Sequence, residues 1–287
     1  MSFEKNSRIL IVGLGLIGGS YAMALSKKGY SVTAITKEQS DIDYAVGAGI
    51  INGGSAEPDE KLISAADIII FALYPHVFVE WMRDYGKFIS PGALVTDVTG
   101  VKGALIDEIN SYMPEGAEFI AAHPMAGREV YGVRNADDSI FRDANFIIVP
   151  TRDNTPGAIE KCKALGETLG FKRISYLNPT QHDEMIAFLS QLTHCIAVSL
   201  MCANGDPNLV SYTGDSFRDL TRIANINEEM WSELFLLNKR ALLYEMDCYR
   251  ACFDKLYNAV KDDDTKVLKD MMRLSTARRK MFNKVGE

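Results

Sequence analysis

The sequence contains no C-x-x-C pair and its five cysteines are odd in number, so neither a disulfide framework nor a zinc cluster is indicated, and no metal site is expected. No uninterrupted apolar stretch approaches the ~20 residues that a membrane helix requires. The opening residues are too polar for a secretory signal, which makes a cytoplasmic chain without a membrane partner the expectation. Glycine and proline, at 22 and 9 residues, are too sparse for a disordered chain. Positive charge is also in deficit. A formal net charge of −7 gives no electrostatic reason to bind nucleic acid, so an anionic substrate must find its cations locally.

What is present is an ordinary globular balance, 47% hydrophobic and 24% charged over 287 residues, enough for two domains. From Arg8 to about Pro150 short apolar runs alternate with helical stretches, and residues 9–12, 31–35, 68–73, 94–97, 119–122 and 146–150 read as buried strands. Such alternation predicts an α/β fold, a Rossmann-type doubly wound and mostly parallel sheet with helices on both faces. A helix over 156–169 and a strand over 172–176 complete this dinucleotide-binding domain, assigned to residues 1–177. The first strand runs straight into Gly13-Leu14-Gly15-Leu16-Ile17-Gly18, a G-x-G-x-x-G turn ahead of a helix over 21–28. That order suits a dinucleotide. Gly13 allows the tight turn, Gly15 admits the phosphates, Gly18 lets helix and strand pack closely, and the helix N-terminus faces the pyrophosphate.

Beyond Pro179 the strand signals cease, which predicts an all-helical domain over residues 178–287. Residues 227–260 hold neither Gly nor Pro and read as one long helix capped by Asn227. Phe235, Leu242, Tyr249 and Leu256 recur every seven residues, joined by Met246, Phe253 and Val260, and predict a sustained buried stripe. Cys248 and Cys252, on one helix face, read as small core residues. The excess of apolar face implies a homodimer through this domain, intrachain packing being the plainer alternative. Asp262-Asp263-Asp264 then breaks the helix before a last one ending near Lys284.

Ligands of open α/β sheets bind beyond the carboxyl ends of the strands. Three such ends carry special residues: Tyr74-Pro75-His76, Asp97-Val98-Thr99-Gly100-Val101-Lys102 and His123-Pro124-Met125-Ala126-Gly127. His123, set directly after an apolar strand, is the candidate base. Arg222, four residues from Arg218, offers a fork for a carboxylate, with an ion pair to Asp219 or Glu129 as the alternative. His194 sits on an apolar helix as either a ligand-binding or a core histidine. His182 beside Asp183 reads as a cap or a supporting hydrogen bond, and His76 as an edge of the nucleotide cleft.

The glycine turn, His123-Pro124-Met125-Ala126-Gly127-Arg128-Glu129, Ser190-Gln191-Leu192-Thr193-His194 and Phe217-Arg218-Asp219-Leu220-Thr221-Arg222-Ile223-Ala224 together resemble the prephenate dehydrogenase family, in order and across essentially the whole chain. The resemblance implies oxidative decarboxylation of prephenate to 4-hydroxyphenylpyruvate in tyrosine biosynthesis, or of its amino analogue arogenate to tyrosine, with a nicotinamide cofactor. It gives His123 the substrate hydroxyl and Arg222 a substrate carboxylate. His194, Gln191 and Trp231 take places at the substrate pocket, while Glu129, Arg218 and Asp219 join an ionic network at its mouth. The cofactor is expected at Gly13, Leu14, Gly15, Leu16, Ile17, Gly18, Leu73, Pro75 and Asp97, with Thr36 and Lys37 at its ribose.

Two departures stand out. Relatives commonly read Asp-x-Gly-Ser-x-Lys where this chain has Asp97-Val98-Thr99-Gly100-Val101-Lys102, so Gly100 replaces a serine that orients the histidine, and Thr99 is the candidate to supply the hydroxyl. Gln191 stands where some relatives carry histidine, which leaves prephenate against arogenate open. At the end of the second strand Thr36-Lys37 takes the place of the acid that binds a ribose 2′-hydroxyl, favouring NADP over NAD, although Glu38 follows. A reductase of the β-hydroxyacid dehydrogenase type and a nucleotide sensor without turnover are the competing readings. No appended regulatory domain is expected.

Overall fold

The computed structural model describes residues 5–282. Among them eight strands form one sheet: β1 (Arg8–Val12), β2 (Ser31–Ile35), β3 (Gly53–Ser55), β4 (Ile68–Phe71), β5 (Leu94–Asp97), β6 (Glu118–Pro124), β7 (Asn145–Val149) and β8 (Arg173–Tyr176). Their spatial order is β3-β2-β1-β4-β5-β6-β7-β8, parallel throughout except between β6 and β7. The chain winds outward from β1 through β2 to β3 and returns on the other side of β1 to β4, so the β1/β4 junction is the switch point where such sheets open a ligand crevice.

The strands are apolar without interruption because both faces are covered. Ile9 and Ile11 of β1 and Ile68 and Ile70 of β4 enter the core on one face, and Leu10, Val12, Ile69 and Phe71 that on the other. The covering helices are α1 (Leu16–Lys27), α2 (Gln39–Gly47), α3 (Glu60–Ala65), α4 (Pro75–Tyr85), α5 (Ile106–Ser111) and α6 (Pro156–Leu169). Register then sets the site. Val12 lies opposite Ile35 and Phe71, and Phe71 opposite Asp97, so four strands end at one level. With Ile120 opposite Thr96, β6 runs on past that level and carries His123 beyond the edge. Strand β3 escapes the sequence reading because Gly53-Gly54-Ser55 has no apolar signal, yet a Cβ on Gly54 would lie 2.5 Å from the Ala34 carbonyl oxygen, so only glycine lets this strand approach β2.

After β8, α7 (Pro179–Ile186) passes through a π-helical turn, Ala187–Leu192, into α8 (Thr193–Ala203), followed by α9 (Asp215–Thr221) and α10 (Glu228–Leu237). These helices join the sheet in one compact unit that ends at Asn238, and a second unit begins at Lys239. The second holds α11 (Lys239–Lys261) and α12 (Thr265–Lys280), and the expected end of the last helix at Lys284 falls outside the described residues.

The single helix expected over 227–260 is therefore two. Asn227 caps the first as anticipated, its Oδ1 accepting from the Met230 N–H. Asn238 leaves helical geometry (φ −109°, ψ 24°) because its buried amide donates to the Asp183 carbonyl and to Gln191 Oε1, both at 2.8 Å, a local alternative to the helix ladder that asparagine readily takes. Nor is the stripe buried throughout among the described residues: Leu242 is, but Phe253 and Val260 are 55% and 61% exposed. Cys248 and Cys252 are likewise exposed rather than in a core. The 25-residue run Pro179–Ala203 is long and apolar enough to cross a membrane by length and composition alone, a property hidden from the search for uninterrupted apolar stretches by its scattered polar residues. Those residues are what it brings to the site.

Candidate active site

A cleft of about 590 Å³ opens at the switch point, lined by the glycine turn, the ends of β4, β5 and β6, the π turn and α10. Its nucleotide side is cut to fit a phosphate. Gly13 has φ +100°, and a Cβ there would lie 2.4 Å from the Ala72 carbonyl oxygen. A Cβ on Gly18 would lie 1.9 Å from the Gly13 oxygen, whereas one on Gly15 would meet nothing within 4 Å and would project into open space at the start of α1. That helix has no side-chain cap at Gly15, so its first N–H groups remain for an anion. A dinucleotide fits this cradle. Thr36 Oγ1 accepts a 3.4 Å hydrogen bond from the Leu14 N–H, tying the end of β2 to the turn, and Lys37 beside it is exposed.

Gly15, Leu16, Ile17, Gly18, Leu73, Pro75, Thr99, His123, Gln191, His194 and Trp231 all line the one cleft. Gly13, Leu14, Thr36, Lys37, Asp97 and Arg222 do not. Asp97 is buried and turned inward, where its carboxylate accepts from the Ala122 and Thr99 N–H groups, the Thr99 hydroxyl and Lys102 Nζ at 2.6 Å. Lys102 also donates to the Ala122 carbonyl, the residue before His123, at 2.6 Å. Thr99 thus has its hydroxyl committed to Asp97 and the Val101 carbonyl, while His123 finds its partner elsewhere. Arg222 is 63% exposed and paired with Glu129, the alternative weighed from sequence; Arg218 turns to Asp215 and the Thr213 carbonyl.

The partner of His123 is His182, whose Nε2 lies 2.9 Å from His123 Nδ1. His182 Nδ1 in turn lies 2.7 Å from Asp183 Oδ1. Capping of α7 belongs to Asn178, which exchanges hydrogen bonds with Gln181 in a capping box, so of the two roles foreseen for His182 the supporting hydrogen bond is the one it plays. On the facing wall, His194 stacks on Trp231 with ring centroids 3.7 Å apart and its Nδ1 donates to the Ser190 carbonyl at 2.9 Å. Gln191 is buried with both ends held, Nε2 donating to the Leu234 carbonyl and Oε1 accepting from Asn238. His76 grips Glu233 of α10, its backbone N–H donating to Oε1 at 2.6 Å with Nδ1 2.8 Å from Oε2.

Burial dominates the electrostatics. It drives the His123 ring well below its ordinary range, with His182 and the Lys102 ammonium adding to the effect even though one side of the ring meets the cleft. His182 is also lowered by burial, which outweighs its bond to Asp183, and His194 and Lys102 are lowered for the same reason. His123 is consequently a neutral base at neutral pH. The unfolded chain takes up protons on these rings near pH 6.5 and the folded chain resists them, so stability is present above about 6.5 and drains away as pH falls below it. We expect Tm to drop on going from about pH 7.5 to 5.5, and less so in His123→Asn; a wild-type Tm flat over that interval would contradict the assignment.

A neutral proton acceptor beside a dinucleotide turn is the working arrangement of a nucleotide-dependent oxidoreductase. Residues 21–175 match the "Prephenate dehydrogenase, nucleotide-binding domain" family, and residues 178–274 the "Prephenate dehydrogenase, dimerization domain" family. The chain belongs to the prephenate dehydrogenase family. It is 30% identical over 274 residues to the prephenate dehydrogenase of Bacillus subtilis (strain 168), covering 92% of this chain and 73% of that relative. A solved structure of A. aeolicus prephenate dehydrogenase, in complex with hydroxyphenyl propionate and NAD+, superposes with a TM-score of 0.86 at 26% identity, over 96% of this chain and 98% of the other. Synechocystis arogenate dehydrogenase does so with a TM-score of 0.81 at 26% identity, over 96% and 100%. The activity is therefore of the prephenate/arogenate dehydrogenase type.

Proposed function

We propose that the chain oxidises prephenate to 4-hydroxyphenylpyruvate with loss of carbon dioxide, acting as a homodimer, with NADP preferred to NAD. The observation that carries the reading is a neutral His123 facing the same cleft as the glycine turn and the His194–Trp231 wall. Gly13, Gly15 and Gly18 would hold the dinucleotide against α1, and the nicotinamide, when bound, would supply the acceptor for the hydride that leaves the carbinol carbon. His123 takes the hydroxyl proton as that oxygen gains carbonyl character. Loss of the ring carboxylate then restores an aromatic ring, and His123 returns the proton to the phenolic oxygen. Trp231 and His194 offer a flat face to the six-membered ring, and Arg222 exchanges Glu129 for a substrate carboxylate, a fork suited to either. Thr99 works from beneath, through Asp97 and Lys102.

Support for NADP lies at the end of β2, where Thr36 and the exposed Lys37 stand in place of a carboxylate. Support for the homodimer lies in the open apolar face of α11, including Phe253, Tyr257 and Val260, within the span matched as a dimerization domain. The purified protein is to be incubated with prephenate or arogenate and each cofactor while reduced nicotinamide absorbance is followed. Prephenate with NADP is expected to be fastest. A kcat/KM ratio favouring NAD by tenfold, about 1.4 kcal/mol, overturns the cofactor preference, faster arogenate turnover overturns the substrate, and silence with every pairing overturns the enzyme reading.

A further inference from the structure

We propose that His182 and Asp183 are positioning residues for His123: they fix its tautomer so that Nε2 is bare toward the cleft, and they take up the positive charge when that nitrogen receives a proton. The inference rests on His123 being the base of the proposed reaction, and it follows from where hydrogens can lie. Asp183 Oδ1 accepts from the Lys102 backbone N–H at 2.9 Å, and Oδ2 from the Gly103 N–H at 2.8 Å. Backbone N–H groups only donate, so both oxygens of Asp183 act as acceptors here. The 2.7 Å contact from His182 to Asp183 then needs the hydrogen on His182 Nδ1. A neutral imidazole carries one N–H, so His182 Nε2 is a lone pair. The 2.9 Å contact to His123 is bridged by a hydrogen on His123 Nδ1, which leaves Nε2 as the nitrogen available to substrate. Nothing in this chain of bonds depends on a ligand being bound.

The same arrangement handles the proton. When His123 Nε2 receives it, the N–H bond at His123 Nδ1 can break as one forms at His182 Nε2, so that His123 is again neutral and the charge resides on a wholly buried His182 against the Asp183 carboxylate. The charged groups that face this pair are Lys102, Asp97 and Asp183. Lys102 opposes a cation on either ring, whereas Asp183 and Asp97 favour one on His182 and no carboxylate does so for His123, so the transfer moves charge toward the carboxylates. The shift reverses when the proton is handed back.

The test uses the whole 287-residue chain. In wild type, 15N-histidine NMR is expected to show His123 and His182 protonated on Nδ1 and bare on Nε2 at neutral pH. In His182→Leu, which removes the acceptor, His123 is expected to shift toward the Nε2–H form. Its kcat should fall about 100-fold with KM for substrate and cofactor within about threefold. His182→Gln, whose amide oxygen can accept from His123 Nδ1, is expected to recover about tenfold of that loss, and it serves as the folded control should the leucine variant pack poorly. A wild-type His123 protonated on Nε2, or a folded His182→Leu enzyme with unchanged kcat, overturns the proposal. A wild type that turns over no substrate instead defeats the dehydrogenase reading, and the NMR result still decides the tautomer.

Discussion

His123→Asn is expected to lower kcat by about 10²- to 10⁴-fold while leaving the affinity for the dinucleotide near that of the wild type. The substitution removes the nitrogen proposed to take the hydroxyl proton but retains an amide N–H able to donate to His182 Nε2, so the end of β6 keeps its hydrogen bond. The glycine turn at β1 and the uncapped start of α1 are untouched. Steady-state kinetics and calorimetric titration with NAD and NADP measure the two effects separately. A variant that keeps kcat within tenfold would remove His123 from the chemistry, and one that loses the dinucleotide as well would make it a structural residue.

Lys102→Met is expected to cost about 3–5 kcal/mol of stability. Both Lys102 and Asp97 are 1% exposed, and removal of the ammonium strands a carboxylate that water does not reach. The loss should be much smaller in the double variant Lys102→Met with Asp97→Asn, because no charge is then left unpaired. Urea unfolding of the single and double variants checks both statements, and a single-variant loss below about 1 kcal/mol would show that the pair is hydrated or dispensable. The pair also ties the end of β5 to the backbone beside His123, through Ala122 N–H and C=O, so activity should decline with stability.

The parts of this arrangement that are local were legible in the sequence. An apolar strand closing on G-x-G-x-x-G carries its own instructions, and His123-Pro124 declares a strand end because the apolar run stops there. Arg222 was legible as a cation with two possible partners, and Glu129 proves to hold it in the free chain. What escaped is what depends on distant residues meeting. His182 stands 59 residues from His123, and nothing about a histidine near a helix start says which nitrogen will find which partner. Lys102, in a short loop after β5, carries no local mark of burial and becomes the most buried cation of the site only when β5 and β6 pair. Asn238 looked like any polar residue of a long helix, and its role as a break required Asp183 and Gln191 to be brought beneath it. The stripe on α11 shows the opposite difficulty: its periodicity was plain, but Phe253, Tyr257 and Val260 remain exposed among the described residues.

The π turn at Ala187–Leu192 has a consequence for how this enzyme tolerates change. One extra residue in a turn offsets everything after it by about 100° around the helix axis, so the turn sets the angular phase between the His182–Asp183 segment before it and the His194 segment after it. The helix is specified by phase as much as by length. Substitutions along it are absorbed like those in any helix, but insertion or loss of a single residue is read as a rotation, swinging His194 away from Trp231 while His182 stays where it is.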